Sequence, residues 1–175
     1  MNLQINRTLQ YYYLKLKRLK GDPASLARGV ALGTFIGITP TIPLHTALII
    51  ILSFPLRASK VSSLLSSFMV SNPFTFFFQY YFSWYIGNTL LPGVITWEKM
   101  SVVMGAITSF AGFTAEMAAL GKLGVAAVCV LVLGGCILAL PFTIVSYFLS
   151  LQFFRKIETK RAERRARQNS RDQLS

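Results

Sequence analysis

The chain has 175 residues, of which 53% are hydrophobic and only 14% are charged. Its formal net charge is +12, and the charges are concentrated in residues 1–28 and 155–175. Three long stretches contain no Asp, Glu, Lys or Arg: 29–56, 61–97 and 123–154. A soluble core of this size has no need of such stretches, so the composition argues against a soluble domain and predicts an integral membrane protein.

Residues 3–20 have the pattern of a basic amphipathic helix, because apolar side chains recur at steps of four and three. These side chains are Ile5, Leu9, Tyr12, Leu16 and Leu19. The cations that spread over the rest of the helix surface are Lys15, Lys17, Arg18 and Lys20. Such a helix lies in the headgroup plane of a membrane with its cations on anionic lipid. A helix packed on the rest of the protein is the alternative.

The first uncharged stretch opens with a stripe of small residues. Gly29, Gly33 and Gly37 recur at steps of four, so on a helix they form one smooth face. A face of this kind lets another backbone approach closely, and we expect helix packing there rather than a ligand groove. This helix is predicted to be capped by Asp22 or Ser25.

The same stretch is interrupted near its middle by Pro40 and Pro43. Residues 29–39 make a helix of about 16 Å, which is too short to span a hydrocarbon core of about 30 Å. Two topologies are therefore open: one kinked span, or a re-entrant hairpin that returns to its starting side. Arg57 and Lys60 follow directly, and because cationic loops stay in the cytoplasm, they favour the hairpin.

The second uncharged stretch is broken in the same way at residues 71–75. We expect this stretch to cross the membrane, and a second re-entrant hairpin is the alternative. The crossing makes residues 92–122 an external or interfacial section, and residues 123–154 then cross back to the cytoplasm. The aromatic residues of 80–85 are expected at the headgroup level, as part of an interfacial belt.

The predicted fold class is all-α: a polytopic membrane protein with broken or re-entrant helices, a basic amphipathic N-terminal helix and a basic helical C-terminal tail. The expected domains are the N-terminal helix, 1–22, the membrane domain, 23–154, and the cytoplasmic tail, 155–175. The membrane domain is divided into broken segments 24–56 and 61–91, a connecting section 92–122 and a span 123–154. Arg155 and Lys156 begin the tail, where they anchor the topology on the anionic inner leaflet.

The residues around the two breaks resemble a known family. The resemblance is carried by 31–40 (ALGTFIGITP), 43–46 (PLHT), 71–75 (SNPFT), and Tyr80-Tyr81 followed by Ile86-Gly87. Over roughly residues 19–150 the chain is similar to the bacterial domain of unknown function 2062 family. This resemblance implies a multi-pass protein of the bacterial cytoplasmic membrane without an established substrate. Members that occur beside glycosyltransferase domains point toward envelope chemistry.

The two breaks carry the side chains that we expect to form a binding site, as paired broken helices do in transporters. The candidate residues are Thr39, Pro40, Pro43, His45, Thr46, Asn72, Pro73 and Thr75. His45, the only histidine, is the candidate proton relay or polar ligand, and hydrogen bonding to freed backbone carbonyls is the alternative. For Asn72 and the threonines the alternative is capping of helix ends. If the breaks meet, half-helix N-termini favour an anionic group there.

Catalytic, metal and cofactor chemistry are not expected. The uncharged stretches hold no carboxylate for a Ser-His-Asp set, and one histidine with Cys129 and Cys136 on a single helix does not make a zinc site. No phosphate-binding or dinucleotide-binding motif is present. The basic tail lacks interleaved aromatic residues, so nucleic acid is not an expected partner.

The sequence thus favours a membrane protein that binds or passes a small solute or lipid headgroup at the paired broken helices. One chain with so few membrane segments barely encloses a cavity by itself, so the sequence favours a homo-oligomer. The alternative is a non-transporting membrane scaffold that binds anionic lipid and recruits envelope-biosynthesis proteins. In both cases the N- and C-termini are expected in the cytoplasm.

Overall fold

The computed structural model describes residues 14–15, 19, 21–40, 44–71, 73–108, 121 and 124–172. Six helices have both ends within these ranges: α1 (Pro23–Ile38), α2 (His45–Ser53), α3 (Lys60–Val70), α4 (Pro73–Leu90), α5 (Trp97–Thr108) and α6 (Val125–Asp172). Residues 14–15 and 121 are also helical. No strand occurs in the described residues, so the predicted all-α class is confirmed for them. The predicted amphipathic helix over 3–20 lies almost wholly outside the described residues, as do Lys17, Arg18 and Lys20.

Helix α1 begins and ends as its sequence dictates. The Asp22 carboxylate accepts a hydrogen bond from the Ser25 backbone N–H at 2.9 Å, and Pro23 occupies the first helical position, where its missing N–H costs nothing. Pro40 follows the C-terminal cap residue Thr39, whose backbone N–H and hydroxyl both donate to the Phe35 carbonyl. A proline so placed disfavours continuation of the helix.

Helices α1 and α2 form a hairpin that returns to the end where α1 begins. The Ser59 backbone N–H, just after α2, donates to the Ser25 carbonyl at 3.0 Å. The Ser25 hydroxyl donates in turn to the Arg57 carbonyl at 3.1 Å. Helix α3 starts from this same end and runs parallel to α1, because Gly29 faces Ser62 and Gly37 faces Ser67.

Helices α3 and α4 are joined by a sharp bend of 90°. Beyond the bend α4 runs antiparallel to α6, with Ser83 facing Gly134 and Gly87 facing Val130. The Trp84 indole N–H donates to the Ile95 carbonyl at 3.1 Å, which ties the connection after α4 back onto that helix. Helices α3 and α4 therefore both lead away from the end of the molecule to which the α1–α2 hairpin returns.

Helix α6 is the longest element and packs against both α1 and α4. Its 48 residues make a rod of about 72 Å that contains Pro141 and continues from the apolar span into the basic tail without a break. Leu26 and Ala27 near the start of α1 pack on Phe154, whereas Pro40 beyond its end lies against Gly135. Helices α1 and α4 thus cover successive halves of the apolar part of α6.

The described helices leave much apolar surface uncovered. On α6 alone the exposed large apolar side chains are Val125, Leu133, Ile137, Leu140, Phe142, Ile144, Val145, Phe148 and Leu149. By length and composition α6 is able to cross a membrane, and a second span results if the bent pair α3–α4 is counted as one. Only 28% of the apolar window of α6 is buried, unlike the core helix of a soluble protein. The multi-pass arrangement stays a prediction.

Candidate functional site

The two breaks of the chain meet in space. The Ser71 hydroxyl, at the second break, donates to the Gly37 carbonyl at 3.1 Å. The same hydroxyl lies 3.4 Å from Nε2 of His45, at the first break. We call this meeting point the break junction; it comprises residues 37–40, 44–45, 70–71 and 73–75. The structure thereby brings together the two sequence segments from which a site was predicted.

Four helix ends converge at the break junction, and their dipoles oppose one another. The N-termini of α2 and α4 lie there, as expected. The C-termini of α1 and α3 lie there as well, because Gly37 and Ser71 are in direct hydrogen-bond contact. Each N-terminus carries roughly +0.5 charge and each C-terminus roughly −0.5, so the four ends nearly cancel. The geometry therefore gives the junction little net preference for an anion, contrary to what the N-termini alone suggest.

The hydroxyl groups of the junction are engaged by backbone carbonyls. Thr39 donates to the Phe35 carbonyl at 2.9 Å, and Thr75 donates to the Val70 carbonyl at 2.7 Å. The Gln79 side-chain amide donates to the same Val70 carbonyl at 3.3 Å. The bonds to Val70 satisfy a carbonyl at the end of α3, which fits the capping interpretation of Thr75. The Thr39 hydroxyl adds a second hydrogen bond to a carbonyl that already accepts from the Thr39 backbone N–H. Thr46 is exposed.

The prolines of the predicted site lie in different surroundings. Pro40 is buried, and its ring lies so close to Gly135 that a side chain at that glycine would collide with it. Pro73 begins α4. Pro43 and Asn72 lie outside the described residues. Pro40 therefore acts as a packing residue that attaches the break junction to α6.

The glycine stripe of α1 packs against a row of serines on α3. A Cβ added at Gly29 would lie 2.6 Å from the Ser59 carbonyl oxygen, and one at Gly33 would meet the Ser63 backbone. The serine hydroxyls donate across this contact: Ser62 to the Leu26 carbonyl at 2.8 Å and Ser66 to the Val30 carbonyl at 3.0 Å. The sequence interpretation missed the serines, although their spacing at 59, 62, 63, 66 and 67 is itself helical.

An uncharged groove of about 580 Å³ lies beside the break junction. It is bordered by α1, α3, α4 and α6, and its lining residues are Thr34, Ile38, Met69, Val70, Thr75, Phe78, Gln79, Phe82, Leu138, Phe142, Val145, Ser146 and Leu149. Of the predicted site residues whose side chains the structure describes, Thr75 alone lines it. Sequence reasoning missed Gln79, and the available signal was a single glutamine inside an uncharged aromatic segment.

Cations collect at the end of the molecule where α1 begins. Arg57 lies there through its contact with Ser25, and Lys60 starts α3, with its Nζ 3.8 Å from the centroid of the Phe54 ring. Arg155 and Lys156 are exposed directly after Phe154, which packs on the start of α1. Of the predicted lipid-surface residues, Lys15 is also described and exposed.

Arg57 stands out at this end for its backbone conformation. Its φ of 47° lies in the left-handed region, which glycine adopts far more readily. The Ala58 backbone N–H donates to the Ser53 carbonyl at 3.0 Å, so Arg57 sits at the turn that terminates α2. A cation is therefore held at a position where the backbone alone would favour glycine.

Metal-ligating groups do not gather in the part of the chain that the structure describes. Within it no three residues among His, Cys, Asp and Glu are arranged to hold a metal ion. Cys129 is exposed and Cys136 half-buried, and neither forms a disulfide.

Comparison with known proteins identifies a family that matches most of the chain. The family model DUF2062, described as an uncharacterized protein conserved in bacteria, matches residues 6–163. No curated protein and no solved structure matches the chain.

Proposed function

We propose, given that this chain belongs to the DUF2062 family of uncharacterized bacterial proteins, that it is a multi-pass protein of the bacterial cytoplasmic membrane. In this proposal α1 and α2 form a re-entrant hairpin, α3 and α4 together cross the membrane, and α6 crosses back. The protein binds a small solute or a lipid beside the break junction, and it does so as a binding protein or transporter rather than as an enzyme.

The observation that carries the proposal is the return of the hairpin. Ser25 at the start of α1 is hydrogen-bonded to both Arg57 and Ser59 after α2. Helices of 16 and 9 residues, about 24 Å and about 14 Å long, are each shorter than a hydrocarbon core of about 30 Å. Because they start and end together, they fit a segment that enters and leaves by the same face. Irregular backbone at their tip is tolerated in lipid only when protein covers it, and Pro40 is buried against α6.

The distribution of charge supports the orientation. The cations Arg57, Lys60, Arg155 and Lys156 share one end of the molecule, and cationic segments are retained in the cytoplasm. The opposite end carries the aromatic cluster of Tyr81, Trp84 and Trp97, with the two indole centroids 5.1 Å apart. Trp and Tyr are enriched at membrane–water interfaces, which suits the non-cytoplasmic face.

The groove supports a binding role. Ligand sites are typically concave, about 300–1,000 Å³ in volume and mostly apolar, with few polar groups. The groove of about 580 Å³ meets this description and lies at the level where the helices are broken. Broken helices of membrane transporters border their binding sites in the same manner.

Single-cysteine labelling tests the topology. In a Cys129→Ser, Cys136→Ser background, Lys60→Cys is expected to react with a membrane-impermeant maleimide only after the membrane is opened, as is the reference Lys156→Cys. Glu98→Cys is expected to react in intact spheroplasts. Reaction of Lys60→Cys from the periplasm would overturn the re-entrant hairpin.

Native mass spectrometry of protein extracted from bacterial membranes tests ligand binding. The wild-type protein is expected to retain one bound small molecule or lipid, and Ser146→Trp, which fills the groove, is expected to lose it. The matched control is Ile144→Trp, since Ile144 is 54% exposed on the same helix and does not line the groove. A wild-type protein that carries no ligand would overturn binding and leave the scaffold as the better hypothesis.

A further inference from the structure

Each polar side chain of the groove donates a hydrogen bond to a backbone carbonyl of the protein itself. Thr34 donates to the Val30 carbonyl at 2.9 Å, and Ser146 donates to the Thr143 carbonyl at 2.9 Å. Thr75 and Gln79 both donate to the Val70 carbonyl. A hydroxyl has one hydrogen to give, so the groove offers apolar walls and few donors to a ligand. The body of the ligand is therefore expected to be apolar and uncharged.

The groove is long in one direction and opens on the exposed apolar surface. Along α6 it extends from Leu138 to Leu149, which is about 16 Å of helix and close to half of a ~30 Å hydrocarbon core. Two of its rim residues on α6, Phe142 and Val145, are 55% and 56% exposed. A ligand of this shape enters from the side, out of the lipid, and occupies the depth of one leaflet.

A cation stands in line with the groove at its cytoplasmic end. Lys156 lies seven residues after Leu149, so it shares the same face of α6 about 10 Å further along the axis. It is exposed and lies two residues after Phe154, where the uncharged stretch of the helix ends. An uncharged slot that leads to a cation matches the two parts of an anionic lipid, its chain and its phosphate.

We propose that the groove holds one alkyl chain of an anionic phospholipid from the cytoplasmic leaflet, with its phosphate at Lys156. This inference rests on the proposed function, because it needs the basic end of the molecule in the cytoplasm. The slot lies at the 90° bend between α3 and α4, with Met69 and Val70 on one side of the bend and Thr75, Phe78 and Gln79 on the other. The polar bonds on the Val70 carbonyl close the inner end of the slot, where the tip of the chain would lie.

Binding of the alkyl chain is tested by titrating delipidated full-length protein with defined lipids in native mass spectrometry. The wild-type protein is expected to bind one phosphatidylglycerol, and Ser146→Trp to weaken this binding about tenfold because the indole fills the slot. Ile144→Trp is expected to stay within about twofold of the wild-type protein. Equal binding by Ser146→Trp and the wild-type protein would overturn the proposal.

A chain-length series on the wild-type protein keeps the test independent of any variant. Single-chain lysophosphatidylglycerol with sixteen chain carbons is expected to compete fully. The eight-carbon form is expected to compete at least about tenfold more weakly, because its chain is too short to fill a slot that runs along about 16 Å of α6 and buries less apolar surface. Equal competition by the two forms would show that no chain is held.

The headgroup is tested by comparing phosphatidylglycerol with phosphatidylcholine. The wild-type protein is expected to prefer phosphatidylglycerol, and Lys156→Gln to reduce the preference about fivefold, the usual contribution of one cation near an anionic headgroup. The control is Lys99→Gln, which removes an exposed cation from α5 at the other end of the molecule. An unchanged preference in Lys156→Gln would overturn the assignment of the phosphate.

The failure of this inference is distinguishable from failure of the proposed function. A non-lipid ligand retained from membranes, with no binding of either phospholipid, would overturn the lipid assignment alone. Periplasmic labelling of Lys60→Cys would instead overturn the membrane placement on which both depend.

Discussion

Two helix contacts of this protein bring backbones equally close but use different chemistry. Between α1 and α3, glycines on one helix face serines on the other, and serine hydroxyls donate to backbone carbonyls across the gap. Between α4 and α6, glycines occur on both helices: Gly87 lies against Val130, and Gly134 lies against the Ser83 backbone. The hydroxyl of Ser83 has no hydrogen-bond partner among the described residues.

The difference teaches how distance and register are set separately. Glycine permits close approach of two helices in an apolar surrounding, and that suffices for attraction through packing. It does not fix the rotation of one helix against the other, nor their exact position along the axis. Directed hydrogen bonds such as Ser62 to the Leu26 carbonyl do fix both, because a shift of one or two residues, or a rotation that turns the serines away from α1, leaves them unmade. The parallel pair α1–α3 is thus held in register where the hairpin must close.

The largest expected effect comes from adding a methyl group at either contact. Gly33→Ala and Gly134→Ala each drive a Cβ into facing backbone, so each is expected to lower the free energy of unfolding by about 3 kcal/mol. Thermal unfolding of detergent-purified protein measures this. Gly105→Ala is the control, since a Cβ there meets nothing within 4 Å, and a gain of up to about 1 kcal/mol is expected from helix propensity. Wild-type stability in Gly33→Ala would disprove the close contact.

The second-largest expected effect on stability distinguishes the α1–α3 contact from the α4–α6 contact. The double variant Ser62→Ala, Ser66→Ala removes two hydrogen bonds to α1 and is expected to cost about 2 kcal/mol in the free energy of unfolding. The same unfolding measurement applies, with Ser101→Ala on the exposed face of α5 as the control. A loss no greater than that of the control would mean that packing alone fixes the register.

A smaller effect is expected at the turn that closes the hairpin. Arg57→Gly relieves the left-handed conformation and is expected to raise the free energy of unfolding by about 1 kcal/mol. Arg57→Gln keeps the strain and removes the charge, so it is expected to unfold like the wild-type protein. Equal stability of the glycine and glutamine variants would show that Arg57 carries no backbone strain.

The smallest effect is expected at the other contact. Ser83→Ala removes a fully buried hydroxyl that has no hydrogen-bond partner in the described ranges, so stability is expected to rise by up to about 1 kcal/mol. A fall of about 1 kcal/mol in the free energy of unfolding would instead reveal that the Ser83 hydroxyl bonds to a residue outside those ranges. Opposite signs for Ser83→Ala and the Ser62, Ser66 double variant would establish that only one of the two contacts depends on hydroxyl groups.

The sequence predicted the local features of the fold better than their partners. The Asp22 cap and the breaks near Pro40 and Pro73 depend on neighbouring residues, and the structure has them where the sequence indicates. The glycine stripe indicates close approach, but nothing in its spacing identifies α3 as the facing helix. The pairing of α1 with α3 depends on the serines of α3. Their periodicity becomes informative only when the serine stripe is matched with the glycine stripe of α1.

The candidate site shows the same limit. Convergence of the breaks was a condition in the sequence interpretation, and the Ser71 contacts with Gly37 and His45 supply it. The C-termini of α1 and α3 were left out of that interpretation, because the dipole argument considered only helix starts. The groove was not predictable, since a cavity depends on the 90° bend and on four helices at once.

The position of α6 as the last helix has a consequence for biosynthesis. Leu26 and Ala27 on α1 are covered by Phe154, which the ribosome adds more than a hundred residues later. At about 5–20 residues per second, roughly 4–17 s separate the completion of α3 from the arrival of Phe154. Of the described helices that pack on α1, only α2 and α3 are complete during that interval. The hydrogen bonds of the α1–α3 contact therefore stabilise the unfinished chain as well as the finished one.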